Sequence, residues 1–272
     1  MDIKPFRQFL VARKGLMPVT VKGYAEAVKR ITRVIGEHPS DETIESFVNV
    51  LYTSEKSYHH KLNTVLALEK YLEFIGRSTR FGRQRKPKPI IKNTLTEAEV
   101  TKLIFNCKNE RERAIVALFA YSGIRNQELC NLRVRDFLWS QNAIRVIQGK
   151  FAKDGISEIP PECSKIVLDY LNLYPRTADD HLFTTLRRKA QMDTRDMRKI
   201  IKVVAKRAKM TKRVFPHLLR HSLAANMILR GVDVISLKNQ LRHAWLETTL
   251  HYANSIVFVE RNRYQKFAPS YV

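Results

Sequence analysis

The 272-residue chain exceeds the roughly 100 to 150 residues of a usual single domain, so two domains, each with its own core, are the expectation. Its 49 Lys and Arg against 26 Asp and Glu give a formal net charge of +23, self-repulsion most simply explained by a polyanionic partner. No run of about 18 apolar residues exists and the first 20 residues hold no apolar signal-peptide core, so neither a membrane span nor secretion is expected. The expected location is therefore the cytoplasm.

Residues 1–76 read as all helix. Val21, Tyr24, Val28, Ile31 and Ile35 recur at steps of three and four, with Pro18 and Thr20 marking the start of that helix. Ser40, followed by Asp41 and Glu42, caps a second helix carrying Ile44, Phe47, Val48 and Leu51. A third runs from Ser57 through Leu62, Val65, Leu66, Leu68, Leu72 and Ile75 until Gly76 stops it. This segment holds 11 basic and 9 acidic residues, so most of the positive charge lies elsewhere.

Residues 77–92 carry seven Lys and Arg and no acid, and Pro87 and Pro89 break any helix. The segment reads as an extended basic linker, either a solvated hinge or a strap along a phosphate backbone, with Arg83, Arg85, Lys86 and Lys88 as its candidate contacts.

Residues 93–272 hold 31 basic and 17 acidic residues. Thr96 with Glu99 forms a capping box that opens a helix through about Cys107, and residues 111–122 form the next, stopped by Gly123. After Asp136 the pattern changes to short β-branched runs, Ala143–Ile147 and Ser157–Pro160, which read as a hairpin whose loop side carries Lys150 and Lys153. Between Arg187 and Arg213, 12 basic residues surround Met197, Ile200, Ile201, Val204 and Ala208. That is a basic amphipathic helix, suited to a nucleic-acid groove or backbone through Arg195, Arg198, Lys199 and Lys202, although membrane surfaces and calmodulin-type partners take such helices too.

Cys107, Cys130 and Cys163 are odd in number and widely spaced, which points to small buried hydrophobes in a reducing compartment. His217 and His221 stand four apart, as helix-borne metal ligands would, but no HExxH and no cysteine pair accompanies them.

His217, Arg220, His243 and Tyr252 gather groups suited to a phosphodiester. A phenol with a pKa near about 10 is a poor nucleophile at neutral pH unless a neighbour takes its proton, and His217 is the candidate for that task. Charge builds on the attacked phosphate in the transition state, so the planar forks of Arg220 and of the distant Arg125 suit its stabilisation. Glu128 could orient His217 or Arg125 through a charge-assisted hydrogen bond, or be an ordinary helix acid.

These residues carry a resemblance. His217-Leu218-Leu219-Arg220-His221 resembles the HxLRH box of the tyrosine recombinase (phage-integrase, Xer-like) family. Leu241-Arg242-His243, with Thr248, Thr249 and Tyr252, resembles its LGHxxxxTTxxY box, Arg242 standing where the family usually has Gly. Tyr121 to Leu129, with Leu132 and Asp136, is similar to its TGLRxxELxxLxxxD box, and the hairpin to its GKGxKxxxxP segment.

The resemblance implies a mainly α fold with a small β-sheet: a helical core-binding domain at 1–76 and a catalytic domain at 93–272, forming a C-shaped clamp on duplex DNA. It further implies that Tyr252 forms a 3'-phosphotyrosine link while Lys150 protonates the 5'-hydroxyl. Arg125, Arg220 and His243 would then hold the phosphate oxygens. Rejoining would need neither ATP nor a metal, since the ester conserves bond energy. The implied partners are duplex DNA with specific recombination sites and, as a homo-tetramer on two such sites, further copies of the chain. A type IB topoisomerase acting on one duplex, and a DNA-binding relative without catalysis, are the alternatives.

Overall fold

The computed structural model describes residues 2–85, 94–147, 155–185 and 190–242. The chain divides into two compact units, Met1–Ile90 and Ile91–Val272.

Among its described residues the first unit holds four helices, α1 (Lys4–Ala12), α2 (Pro18–Ile35), α3 (Asp41–Thr53) and α4 (Tyr58–Phe74). Proline opens α2, where a missing N–H costs nothing, and the hydroxyls of Ser40 and Ser57 accept from the Thr43 and His60 amides to cap α3 and α4. The apolar period of α2 turns Val21, Ala25, Val28 and Ile31 onto Phe6 and Leu10 of α1, Ile44 and Val48 of α3, and Leu68, Tyr71 and Leu72 of α4. The Tyr71 hydroxyl leaves this core by donating to the Glu37 carbonyl at 2.8 Å. The separate helix α1 was not resolved by the sequence reading.

Residues 77–85 differ from the expected extended linker, because they lie against α3 and α4. Arg77 pairs with Asp41, the Phe81 amide donates to Glu69 at 2.9 Å, and Arg83 pairs with the same carboxylate at 2.6 Å. Phe81 packs on the helical core, and the Gln84 side chain donates to the Tyr52 carbonyl at 3.0 Å. An apolar ring and an acid on α4 give this stretch a place to dock.

The second unit is built around α6 (Glu110–Ser122), which follows α5 (Glu97–Phe105). Every residue from Ala114 to Ala120 is buried, so α6 is wrapped on all sides rather than on one stripe. It packs on α5, and on α8 (Pro161–Leu173), α9 (Thr194–Arg207) and α10 (Pro216–Leu229). The expected Thr96–Glu99 capping box is present, and Asn109 caps α6. Cys107, Cys130 and Cys163 are all buried, and burial pushes the Cys163 thiol up to about 12.

The short α7 (Asn126–Asn131) leads to a sheet of three antiparallel strands, β1 (Phe137–Leu138), β2 (Ala143–Val146) and β3 (Gly155–Glu158), in that order. Ile144 lies opposite Phe137 on one side and Ser157 on the other. The hairpin of β2 and β3 follows the sequence reading, which missed the two-residue β1. Last among the described elements is α11 (Val234–Leu241), which seats Leu237 and Leu241 against Ala224 and Ile228 of α10. The mainly α composition with one small sheet agrees with the expectation.

Three polar contacts, two of them buried and the Gln240 pair exposed, tie the elements of this unit together. The Ser157 hydroxyl donates to the Ser122 carbonyl at 2.7 Å, tying β3 to the end of α6. The Gln240 amide makes a two-way pair with the Glu158 backbone at 3.1 and 2.8 Å, tying α11 to β3. The Ser222 hydroxyl of α10 accepts from the Leu95 amide at 2.8 Å, fixing the entry to the unit.

Replacing Ser222 by Ala leaves the buried Leu95 N–H unmatched, at a cost of about 1–3 kcal/mol. Urea unfolding of the intact chain is expected to show that loss; an unchanged midpoint would mean that the contact contributes nothing.

Candidate active site

The site starts from a glycine. Gly123 ends α6 in the left-handed region at φ +62°, and a Cβ there would lie 2.8 Å from Leu241 and 3.0 Å from Leu223. Both the conformation and the close approach require glycine. The turn frees the chain to start α7 two residues later with Arg125 at its N-cap, in extended backbone.

Arg220 projects from α10 into this turn. It is only 3% exposed, and its two terminal nitrogens donate to the carbonyls of Gly123 and Leu241. One guanidinium thus joins the loop before Arg125 to the end of α11. Two of its five donors are committed to those carbonyls, whose positions fix the plane of the fork.

Arg125 is held by Glu128, its neighbour on the first turn of α7. The carboxylate accepts the Arg125 backbone amide at 2.8 Å and its Nη1 at 2.6 Å. Arg125 Nη2 also lies 3.4 Å from the Arg242 carbonyl. Of the two roles open to Glu128 on sequence, the described contacts assign it to Arg125 rather than to His217.

A third arginine completes the cluster. Arg242 caps α11 in the left-handed region, at φ +52° and ψ +47°, and its side chain is 8% exposed. Its Nη2 reaches the second Glu128 oxygen at 2.8 Å and its Nη1 the Gln240 carbonyl at 3.3 Å. Burial alone would raise the Glu128 carboxyl, but Arg242 and Arg125 outweigh it and hold the group below its ordinary range. The Arg242 guanidinium is pushed down by burial, with Glu128 opposing and the like charge of Arg125 assisting. Sequence reasoning noted Arg242 only as a departure. The signal available was a long cation at a position whose backbone favours glycine, which calls for a compensating contact.

His217 lies on the first turn of α10, three residues before Arg220, so the two share one side of that helix. Its side chain is exposed. The structure therefore bonds Arg125 to Glu128 and Arg242, anchors Arg220 to the adjoining Gly123 and Leu241 carbonyls, and places His217 on the helix that supplies Arg220. Lys150, Lys153, His243 and Tyr252 lie outside the described residues, as do Lys86 and Lys88. Among the described residues, no three His, Cys, Asp or Glu side chains gather as a group that could hold a metal ion.

The candidate DNA contacts are placed separately. Helix α9 is shorter than the basic run around it. It buries Met197, Ile201 and Val204 and exposes Arg198, Lys199 and Lys202, while Arg195 is engaged with Asp193 at 2.8 Å. Arg207, on the same helix, is tied to Glu112 at 2.7 Å and supports the fold. In the first unit Arg83 is paired with Glu69, and Arg85 is exposed.

Because the folded-state pKa of Glu128 is depressed, its contribution to stability is present above the unfolded value of about 4.3 and is lost as pH falls through the folded value. Glu128→Gln is thus expected to cost about 3 kcal/mol at neutral pH, by leaving two arginines short of their shared acid. The gap from the parent chain should close as the pH is lowered past about 4. A gap that stays constant with pH would show that the carboxylate charge is not what holds the cluster.

Comparison with known proteins places this geometry in context. The phage integrase family matches residues 93–257. Tyrosine recombinase XerA of Pyrococcus furiosus is 36% identical over 69% of this chain and 67% of its own length. Among solved structures, a XerA recombinase crystal structure aligns over 99% of both chains with 28% identity and a TM-score of 0.59. XerH site-specific recombinase bound to its difH substrate shares the fold over 86% of this chain and 77% of its own, with a TM-score of 0.67 at 19% identity.

Proposed function

We propose a mechanism for this chain on the premise that it belongs to the phage integrase family and is a Xer-like tyrosine recombinase, an enzyme of site-specific DNA recombination serving integration or dimer resolution. Tyr252 attacks the scissile phosphate and forms a 3'-phosphotyrosine ester, as the 5'-oxygen departs with a proton from Lys150. The free 5'-hydroxyl of a second duplex then attacks that ester, restoring a phosphodiester and releasing the Tyr252 phenol. The bond energy held in the ester drives rejoining.

Arg125 and Arg220 hold the non-bridging oxygens, with His243 as a third donor and His217 accepting the tyrosine proton. The observation that supports this reading most is the pair of contacts made to the carbonyls of Leu241 and Arg242. Arg220 holds the first and Arg125 the second, so two cations are anchored to the two residues that lead directly into His243. Rigid cations already in place need no rearrangement when charge builds on the phosphate, which is where electrostatic catalysis draws its strength.

DNA is the substrate, and phosphate contacts come from the exposed cations of α9, namely Arg198, Lys199 and Lys202, with Lys86, Lys88 and Lys153 adding to them. Exchange of four strands requires four copies of the chain on two duplexes. The place of action is the nucleoid.

Two labelled duplexes bearing a site selected by the protein from a randomised pool test the function. Recombinant products joining the two labels are expected. Relaxation of a supercoiled plasmid lacking the site, without exchange, would instead assign the chemistry to a type IB topoisomerase. Affinity for the duplex should fall steeply between about 50 and 200 mM salt, as release of counterions from several phosphates demands, and a flat response would remove those contacts.

Lys150→Ala should bind normally and cleave slowly, by a factor of about 100 or more, which is the usual weight of a general acid. Cleavage should recover on a substrate with sulfur at the 5'-bridging position, since a thiolate leaves without a proton. Recovery in Lys153→Ala instead would move the role to Lys153.

A further inference from the structure

The Glu128 carboxylate is shared by two arginines, and only one of them fits the transfer mechanism. Arg125 takes one oxygen through Nη1 at 2.6 Å, while the other oxygen accepts both the Arg125 amide at 2.8 Å and Arg242 Nη2 at 2.8 Å. Without Arg242, the acid and Arg125 would form a neutral pair, a poor partner for an anionic phosphate. With it, the trio carries a net charge of +1 in a largely buried setting, where charge is weakly screened.

The surroundings are built to hold Arg242. Its stem lies over Gly155, where a Cβ would come within 2.7 Å of Arg242 Cδ and 3.0 Å of Cγ, so the first residue of β3 leaves the space that the side chain fills. Its backbone accepts the left-handed region, unfavourable for a branched-chain or long side chain, and so its carbonyl faces Arg125 Nη2. β3 begins five residues after Lys150 in the sequence. Arg242 therefore touches the acid that holds Arg125, the first residue of β3 and, through its own carbonyl, Arg125 itself.

We propose that Arg242 is a positioning residue for strand cleavage, which offsets the Glu128 charge so that Arg125 presents a full cation to the scissile phosphate. The inference rests on the Tyr252 reading above.

The test uses the full chain and a nicked suicide duplex carrying the selected site, with SDS-resistant adduct formation as the readout. Arg242→Gly suits the left-handed backbone, which offsets part of the lost pair with Glu128, so the variant should stay folded at the assay temperature with a Tm below that of the parent. Its DNA affinity should be unchanged and its cleavage rate at least tenfold lower. Arg242→Lys, which keeps the charge but not the fork, should regain part of that loss.

A methylphosphonate at the scissile position replaces a charged oxygen by a methyl group and removes the charge that Arg125 has to meet. On that duplex the parent and Arg242→Gly should cleave within about threefold of each other. In a Glu128→Gln background, where there is no acid charge to offset, adding Arg242→Gly should change the rate little.

Equal losses on phosphate and methylphosphonate would mark Arg242 as merely structural, and full activity of Arg242→Gly would remove its role; either result overturns the inference and leaves the Tyr252 adduct standing. An adduct that survives Tyr252→Phe would overturn the site reading beneath it.

Discussion

The buried Arg220 guanidinium is the interaction on which the catalytic end of the second unit depends. A cation at 3% exposure is tolerable only where fixed dipoles replace water, and the carbonyls of Gly123 and Leu241 are two of them. Each carbonyl belongs to a helix terminus, where an unpaired C=O needs a donor. The same bonds therefore satisfy the ends of α6 and α11, orient the arginine and bring together two stretches nearly 120 residues apart in sequence. Arg125 and Arg242 sit on those two stretches, and Glu128 binds them to each other.

On the proposed function, this arrangement lets a cluster of cations persist before DNA arrives. Several cations close together repel, and an unbraced cluster would splay apart or draw in counter-ions. Here one carboxylate and several backbone carbonyls take up the repulsion, and Gly123 and Gly155 leave the room that close packing of α11 and β3 requires. The bracing also sets a limit, because an acid that neutralises Arg125 completely would blunt its catalytic use. In the proposed role, Arg242 resolves that conflict by claiming part of Glu128.

Much of the fold could be read from sequence where a local signal was strong. The capping box at Thr96, the serine caps of α3 and α4 and the period of α2 each rest on contacts a few residues apart, and each is present. What escaped was decided by distant partners. β1 is two residues long and exists only through pairing with β2. The stretch 77–85, basic and free of helix signals, read as a linker because nothing local announces that Glu69 and the α4 core will receive it.

The site shows the same division. Arg125, His217 and Arg220 could be chosen from motif spacing, and Arg125 and Arg220 meet at the carbonyls beside His243. Glu128 reaches Arg125 across three residues of α7, a local contact, whereas Arg242 joins them only because α11 docks onto β3 through Gln240. No spacing rule carries that contact.

The account turns on which atom joins the DNA to the protein. Digesting a trapped adduct with protease and nuclease, then locating the residual nucleotide on its peptide by mass spectrometry, answers this directly. A nucleotide 3'-phosphate on the Tyr252 oxygen is the predicted result, and a link to any other side chain, or to a 5'-phosphate, would contradict the account.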